Sequence, residues 1–216
     1  MPDLRFQVTQ AAAAPFAAVP LLGFQLQIDN ASPREAIHTI ALRCQIQIEA
    51  GRRRYTPEEQ HRMLDLFGEP DRWSQTLRSL LWTHVNLVVP AFEGSGTTVE
   101  LPVPCTFDFN VAATKYFHGL AEGEIPLRIL FSGTVFYAQP DSGLQVAPIP
   151  WDRETTFKLS LKDWREMMDA YYPNSAWLTL RKDVFDRLSA YKREHGIPTW
   201  EQTLENMLPA EAVVKS

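Results

Sequence analysis

The stretch Glu124-Ile125-Pro126-Leu127-Arg128-Ile129-Leu130-Phe131-Ser132-Gly133-Thr134-Val135-Phe136-Tyr137-Ala138 decides the fold. It is the longest run of strand-forming side chains in the chain. Leu127, Ile129, Phe131, Val135 and Tyr137 share one parity, interrupted only by Gly133. Successive side chains of a strand point to opposite faces, so this parity marks an inner face. Leu130 and Phe136 lie on the other parity, with Ser132 and Thr134 between them. Apolar groups on both faces are the pattern of a central strand covered on both sides. The stretch is therefore expected to be the seam between a sandwich and a helical cap. Gly133 reads as a bulge or a point of close packing.

Shorter strands surround it. Residues 4–9 alternate, with Leu4, Phe6 and Val8 opposed to Arg5, Gln7 and Thr9. The Ala- and Pro-containing segment up to Pro20 reads as a connection or an irregular edge. In 22–28, Leu22, Phe24, Leu26 and Ile28 face inward; in 37–48, Ile40, Leu42, Cys44, Ile46 and Ile48 do so. Strands are also predicted at 84–89, 98–103, 105–112, 144–147 and 155–159, and 114–120 fits a strand or a helical turn equally.

Elsewhere the period is helical. Thr56-Pro57-Glu58-Glu59 is a capping box with Pro at the first helical position, opening a helical insertion predicted over 56–81. Trp164, Met167, Met168 and Tyr171 form one helical face, Val184, Leu188 and Tyr191 a second, and Trp200, Leu204 and Leu208 a third. The predicted fold is mainly β with α. It is an antiparallel β-sandwich, immunoglobulin-like or similar, over 1–159, with the insertion at 56–81. A helical cap over 160–208 is expected to pack on it, followed by a flexible tail at 209–216.

Composition narrows the function. Hydrophobic residues make up 45% and charged residues 22% of the 216, enough apolar surface for a packed core rather than a disordered chain. The net charge of −5 argues against a nucleic-acid partner, which needs a basic face. No apolar run is long enough to span a membrane, and the N-terminus lacks a signal-peptide pattern. A cytoplasmic location is expected, with Cys44 and Cys105 as reduced thiols; a disulfide between them is the alternative.

Chemical motifs are sparse. Five His are present, none at metal-ligand spacing from another His, Cys or carboxylate. Glu93-Gly94-Ser95-Gly96 lies between two predicted strands, so it reads as a hairpin rather than a nucleophile elbow or phosphate loop. No catalytic residue and no cofactor are predicted. The suggestive feature is the aromatic-rich final third: Trp151, Trp164, Tyr171, Tyr172, Trp177 and Trp200. Rings at helical spacing serve first to dock helices. Exposed ones anchor protein partners, and Tyr172, Trp177 and Trp200 are the candidates for that role.

Several runs together carry a resemblance: Ala41-Leu42-Arg43-Cys44-Gln45-Ile46, Leu66-Phe67-Gly68-Glu69-Pro70, Leu81-Trp82-Thr83-His84-Val85, Leu101-Pro102-Val103-Pro104-Cys105-Thr106, Ala112-Ala113-Thr114-Lys115-Tyr116, Leu130-Phe131-Ser132-Gly133-Thr134-Val135-Phe136 and Gly196-Ile197-Pro198-Thr199-Trp200-Glu201. Over nearly its whole length the chain resembles a bacterial family of unknown function, whose genes tend to lie near clusters for actinobacterial-type, high-affinity nickel–iron hydrogenases. The resemblance implies no reaction and no functional residues. It implies an accessory or maturation role beside a cytoplasmic metalloenzyme.

The first functional expectation is thus a non-enzymatic accessory or assembly protein that binds a hydrogenase subunit or maturation factor. The alternative is a small-molecule- or metal-binding protein, or an enzyme, with a site between sheet and helices. His84, Asp108 and His118 are its candidate polar residues. A structural homo-oligomer is a third reading.

Overall fold

The computed structural model describes residues 2–106, 111–139, 143–176 and 178–208. The chain divides into two compact units, Met1–Ser175 and Ala176–Ser216. The expected flexible tail at 209–216 lies outside the described residues.

The first unit is an antiparallel sandwich. One sheet holds β1 (Leu4–Ala13), β2 (Leu21–Asn30) and β5 (Gly96–Pro104), in the order β1-β2-β5. The other holds β3 (Ala36–Ile48), β4 (Leu80–Val89), β6 (Glu124–Gln139), β7 (Gly143–Pro148) and β8 (Glu154–Ser160). Its order is β4-β3-β6, and β7 and β8 then share the far edge of β6 end to end. β7 pairs with residues 134–139 and β8 with residues 124–130. The organising stretch is therefore a central strand with three partners.

Alternation decides what fills the sandwich. Phe24, Leu26 and Ile28 of β2, Ile40, Cys44 and Ile46 of β3, and Leu127, Ile129 and Phe131 of β6 are all buried. Phe6 of β1 stacks on Phe131 with ring centroids 4.6 Å apart, joining the two sheets. The opposite parity of β6 departs from expectation. Leu130 and Phe136 are only partly buried, and Ser132 is exposed. Phe136 lies opposite Val146, and Ala138 opposite Leu144; Val146 and Leu144 are exposed. Among the described residues, β6 is thus fully covered on one face alone, and its second apolar face lies partly open on the outer side of the sheet. No bulge occurs at Gly133. Its backbone lies so close to β3 that an added Cβ would stand 2.0 Å from the carbonyl oxygen of Ala41, at a φ of +136°.

Helices close the ends. The insertion contains α1 (Pro57–Arg62), α2 (Leu64–Phe67), a 3₁₀ turn at Pro70–Arg72 and α3 (Trp73–Thr76). Both halves of the Thr56/Glu59 capping box are present. The predicted insertion ran to Leu81, but Leu80 and Leu81 already belong to β4, where pairing with Ile48 and Gln47 of β3 overrides their helical spacing. α4 (Val111–Gly119) replaces the end of the strand predicted at 105–112 and makes 114–119 helix, with Leu120 just past its end. Residues 107–110 lie outside the described part. Alternation misleads at Val111 because the apolar groups of α4, Ala113, Tyr116 and Phe117, recur at helical spacing. α5 (Leu161–Tyr171) buries Trp164, Met167 and Met168 and packs against β1 and β8. Cys44 and Cys105 are free and buried, and burial pushes each thiol up to about 12.

The second unit contains α6 (Lys182–Glu194) and α7 (Trp200–Glu205), which pack on each other. Phe185 of α6 meets Trp200 of α7 with ring centroids 5.4 Å apart.

Candidate functional site

The sequence of β1 changes character at Thr9. Up to Val8 its inner residues are large and pair in register with β2; the register then shifts between Val8 and Gln10. This bulge carries β1 on through Gln10, Ala11, Ala12 and Ala13, a run that reads from sequence as a connection. Ala has low strand propensity, so pairing with β2 alone decides the conformation here. The Ala14 N–H donates to the Leu21 carbonyl at 2.8 Å. Backbone groups alternate sides along an antiparallel strand. Those of Ala12 therefore face β2, while those of Ala11 and Ala13 face away from it. β1 is an edge strand, so these groups look outward.

Beside this edge lies α5. Ser160 caps it by accepting the Asp163 N–H, and the buried Trp164 fixes its rotation against Phe117. That rotation turns Asp163, Glu166, Met167, Ala170 and Tyr171 toward the alanines of β1. An open groove of about 600 Å³ lies between the two elements, lined by the alanines of β1, by Met167 and Ala170, and by the acidic residues Asp163 and Glu166. The Tyr171 hydroxyl donates to the Ala17 carbonyl at 2.7 Å and ties the β1–β2 connection to α5. Phe16 in that connection is fully exposed, at a φ of +57°. The groove offers backbone hydrogen bonds, an apolar floor and negative charge. Sequence reasoning missed Ala11, Ala13, Asp163 and Glu166; their one legible signal is the acidic pair at i, i+3 on the face that also carries Met167.

A second polar group is internal. Glu59 is 2% exposed. It accepts the Ala121 N–H at 2.8 Å, the Thr56 N–H at 3.0 Å and the Arg53 guanidinium at 2.8 Å. Burial alone would raise its pKa. These donors outweigh burial and hold the carboxyl below its usual range. Arg53 also donates to the carbonyls of Glu122 and Glu124. The Tyr55 hydroxyl donates to the Ala50 carbonyl at 2.7 Å and accepts from Tyr116 at 2.8 Å. Burial pushes both phenols up. The cluster fastens the insertion to the start of β6, and among the described residues only Nε of Arg53 is left in it as a buried polar atom with no partner.

A model described as a family of unknown function, DUF6084, matches residues 1–216. The chain belongs to the DUF6084 family. No curated protein and no solved structure matches this DUF6084 chain.

The residues singled out from sequence fall in separate surroundings. Tyr172 is partly buried against the core rather than free at a turn tip. Trp200 is 38% exposed, with Phe185 against its ring and the Lys192 ammonium 5.6 Å from its centroid. Trp151, by contrast, is almost wholly exposed. Trp177 and Asp108 lie outside the described residues. His84 stands exposed on the outer face of β4, opposite Gln45. His118 lies on α4, its ring edge-on to Trp164 at 5.2 Å. Burial, followed by the neighbouring Arg165 charge, lowers the pKa of His118. Among the described residues no group of three His, Cys, Asp or Glu is placed to hold a metal ion, and no helix is long and apolar enough to cross a membrane.

Proposed function

We propose that this DUF6084 chain is a non-enzymatic accessory or assembly protein that binds another protein. The observation that carries this reading is the groove between β1 and α5, where the edge of β1, unpaired among the described residues, faces Asp163 and Glu166 of α5 across apolar ground. Such an edge attracts another polypeptide, because among the described residues no backbone group pairs with the outward N–H and carbonyl groups of Ala11 and Ala13. The resemblance to hydrogenase-associated proteins supports a nickel–iron hydrogenase subunit or maturation factor as the partner, met in the cytoplasm.

The test is direct binding of the purified chain to individually purified hydrogenase subunits and maturation factors, followed by biolayer interferometry. One of them binds with a Kd in the micromolar range or below. Absence of binding to every one at concentrations well above that range contradicts the reading.

A further inference from the structure

We infer that the groove takes an extended, basic segment of the partner, added to β1 as a new edge strand. This inference rests on the protein-binding reading and specifies its site and ligand chemistry.

Three features converge on this occupant. The first is the backbone: Ala11 and Ala13 turn their N–H and carbonyl groups from β2 toward the open edge, so an incoming strand meets a ready hydrogen-bonding ladder. The second is the absence of steric obstruction. Methyl side chains at residues 11–14 leave about 600 Å³ between the strand and α5, where larger residues would fill the space. The third is charge. Asp163 and Glu166 line the same groove from the helix side; Glu166 pairs with Lys162 at 3.5 Å, but both side chains are exposed, so solvent screens that pair and an incoming cation competes with it.

The spacing of these acids suits a strand. Side chains at i and i+3 of a helix are about 5–6 Å apart, and alternate side chains of a strand about 6–7 Å apart. Two Lys or Arg residues separated by one residue can therefore address both carboxylates. The intervening side chain points to the opposite face. An acidic segment would place like charges together, and a second copy of this chain carries a net charge of −5. A basic peptide is the complementary occupant.

Fluorescence anisotropy with two labelled, end-capped octapeptides, one alternating Val and Lys and one alternating Val and Glu, tests the inference on the full chain. The Val/Lys peptide binds at least tenfold more tightly than the Val/Glu peptide. Ala13→Pro removes an outward N–H without touching the β2 ladder, and Pro is tolerated on edge strands. It weakens the Val/Lys peptide at least tenfold, with circular dichroism and melting temperature confirming the fold. Glu166→Lys is a second variant, on an exposed helix position, and gives the same direction of change without altering the strand. Equal affinity for the two peptides, binding of neither, or full affinity in both variants overturns the inference. So does a homodimer that both variants dissociate, which would make a second copy the occupant. Hydrogenase-component binding that survives both variants also overturns it, while leaving the protein-binding reading intact.

Discussion

Replacing Glu59 by Ala tests how the insertion is held to the sandwich. The carboxylate receives two backbone N–H groups and one guanidinium while 2% exposed. Its removal leaves Arg53, whose side chain is 12% exposed, without its counter-charge. Breaking a buried ion pair from one side costs about 3–5 kcal/mol. For a chain of this length each kcal/mol lowers Tm by about 2–4 °C, so the expected loss is roughly 6–20 °C. Replacing both partners by Met removes the stranded charge and costs less than Glu59→Ala alone. The pH dependence has a fixed sign. The carboxyl titrates lower in the folded chain than in the unfolded one, so its contribution is present above the unfolded value, about 4.3. It is lost as pH falls through the folded value. Thermal melts of wild type and both variants between pH 3 and 7 read this directly. A Tm within 2 °C of wild type for Glu59→Ala at pH 7, or a variant that loses as much stability on acidification as wild type, would refute the reasoning.

Gly133→Ala forces a Cβ to 2.0 Å from the Ala41 carbonyl oxygen, so it is expected to cost about 3 kcal/mol or more in urea denaturation. Gly143→Ala, with no atom of the described residues within 4 Å of its Cβ but a φ of +65°, costs only about 1–2 kcal/mol by the same measurement. Trp164→Ala empties a site 1% exposed and loses about 3–5 kcal/mol in the same assay. The buried thiols, with pKa values pushed up to about 12, are expected to resist Ellman's reagent at pH 8 in the folded chain and to react promptly in denaturant.

The strands and the capping box were legible because each rests on a local period or a local hydrogen bond. Phe24, Leu26 and Ile28 announce a buried face by alternation, and Thr56 and Glu59 announce a helix start by spacing. Alternation marks β6 as central, but apolar side chains on its second face do not reveal whether another layer covers them. Leu130 and Phe136 show that none does so fully. The groove was hidden for a different reason. Ala11 and Ala13 become strand through pairing with β2, and Asp163 and Glu166 look like ordinary solvated acids on an amphipathic helix. Their significance is tertiary: it arises only when α5 docks beside β1. Trp164 and Tyr172 likewise lend their rings to packing, a tertiary outcome that helical spacing leaves open.

Amide hydrogen exchange of the full chain, resolved by NMR with and without the Val/Lys peptide, tests the central claim most directly. Ala12 and Ala14 already face β2 and are expected to change little. Ala11 and Ala13 are expected to gain protection together, as an added strand takes up their outward N–H groups. Unchanged exchange at Ala11 and Ala13 under saturating peptide, or new protection confined to another surface, would contradict the account.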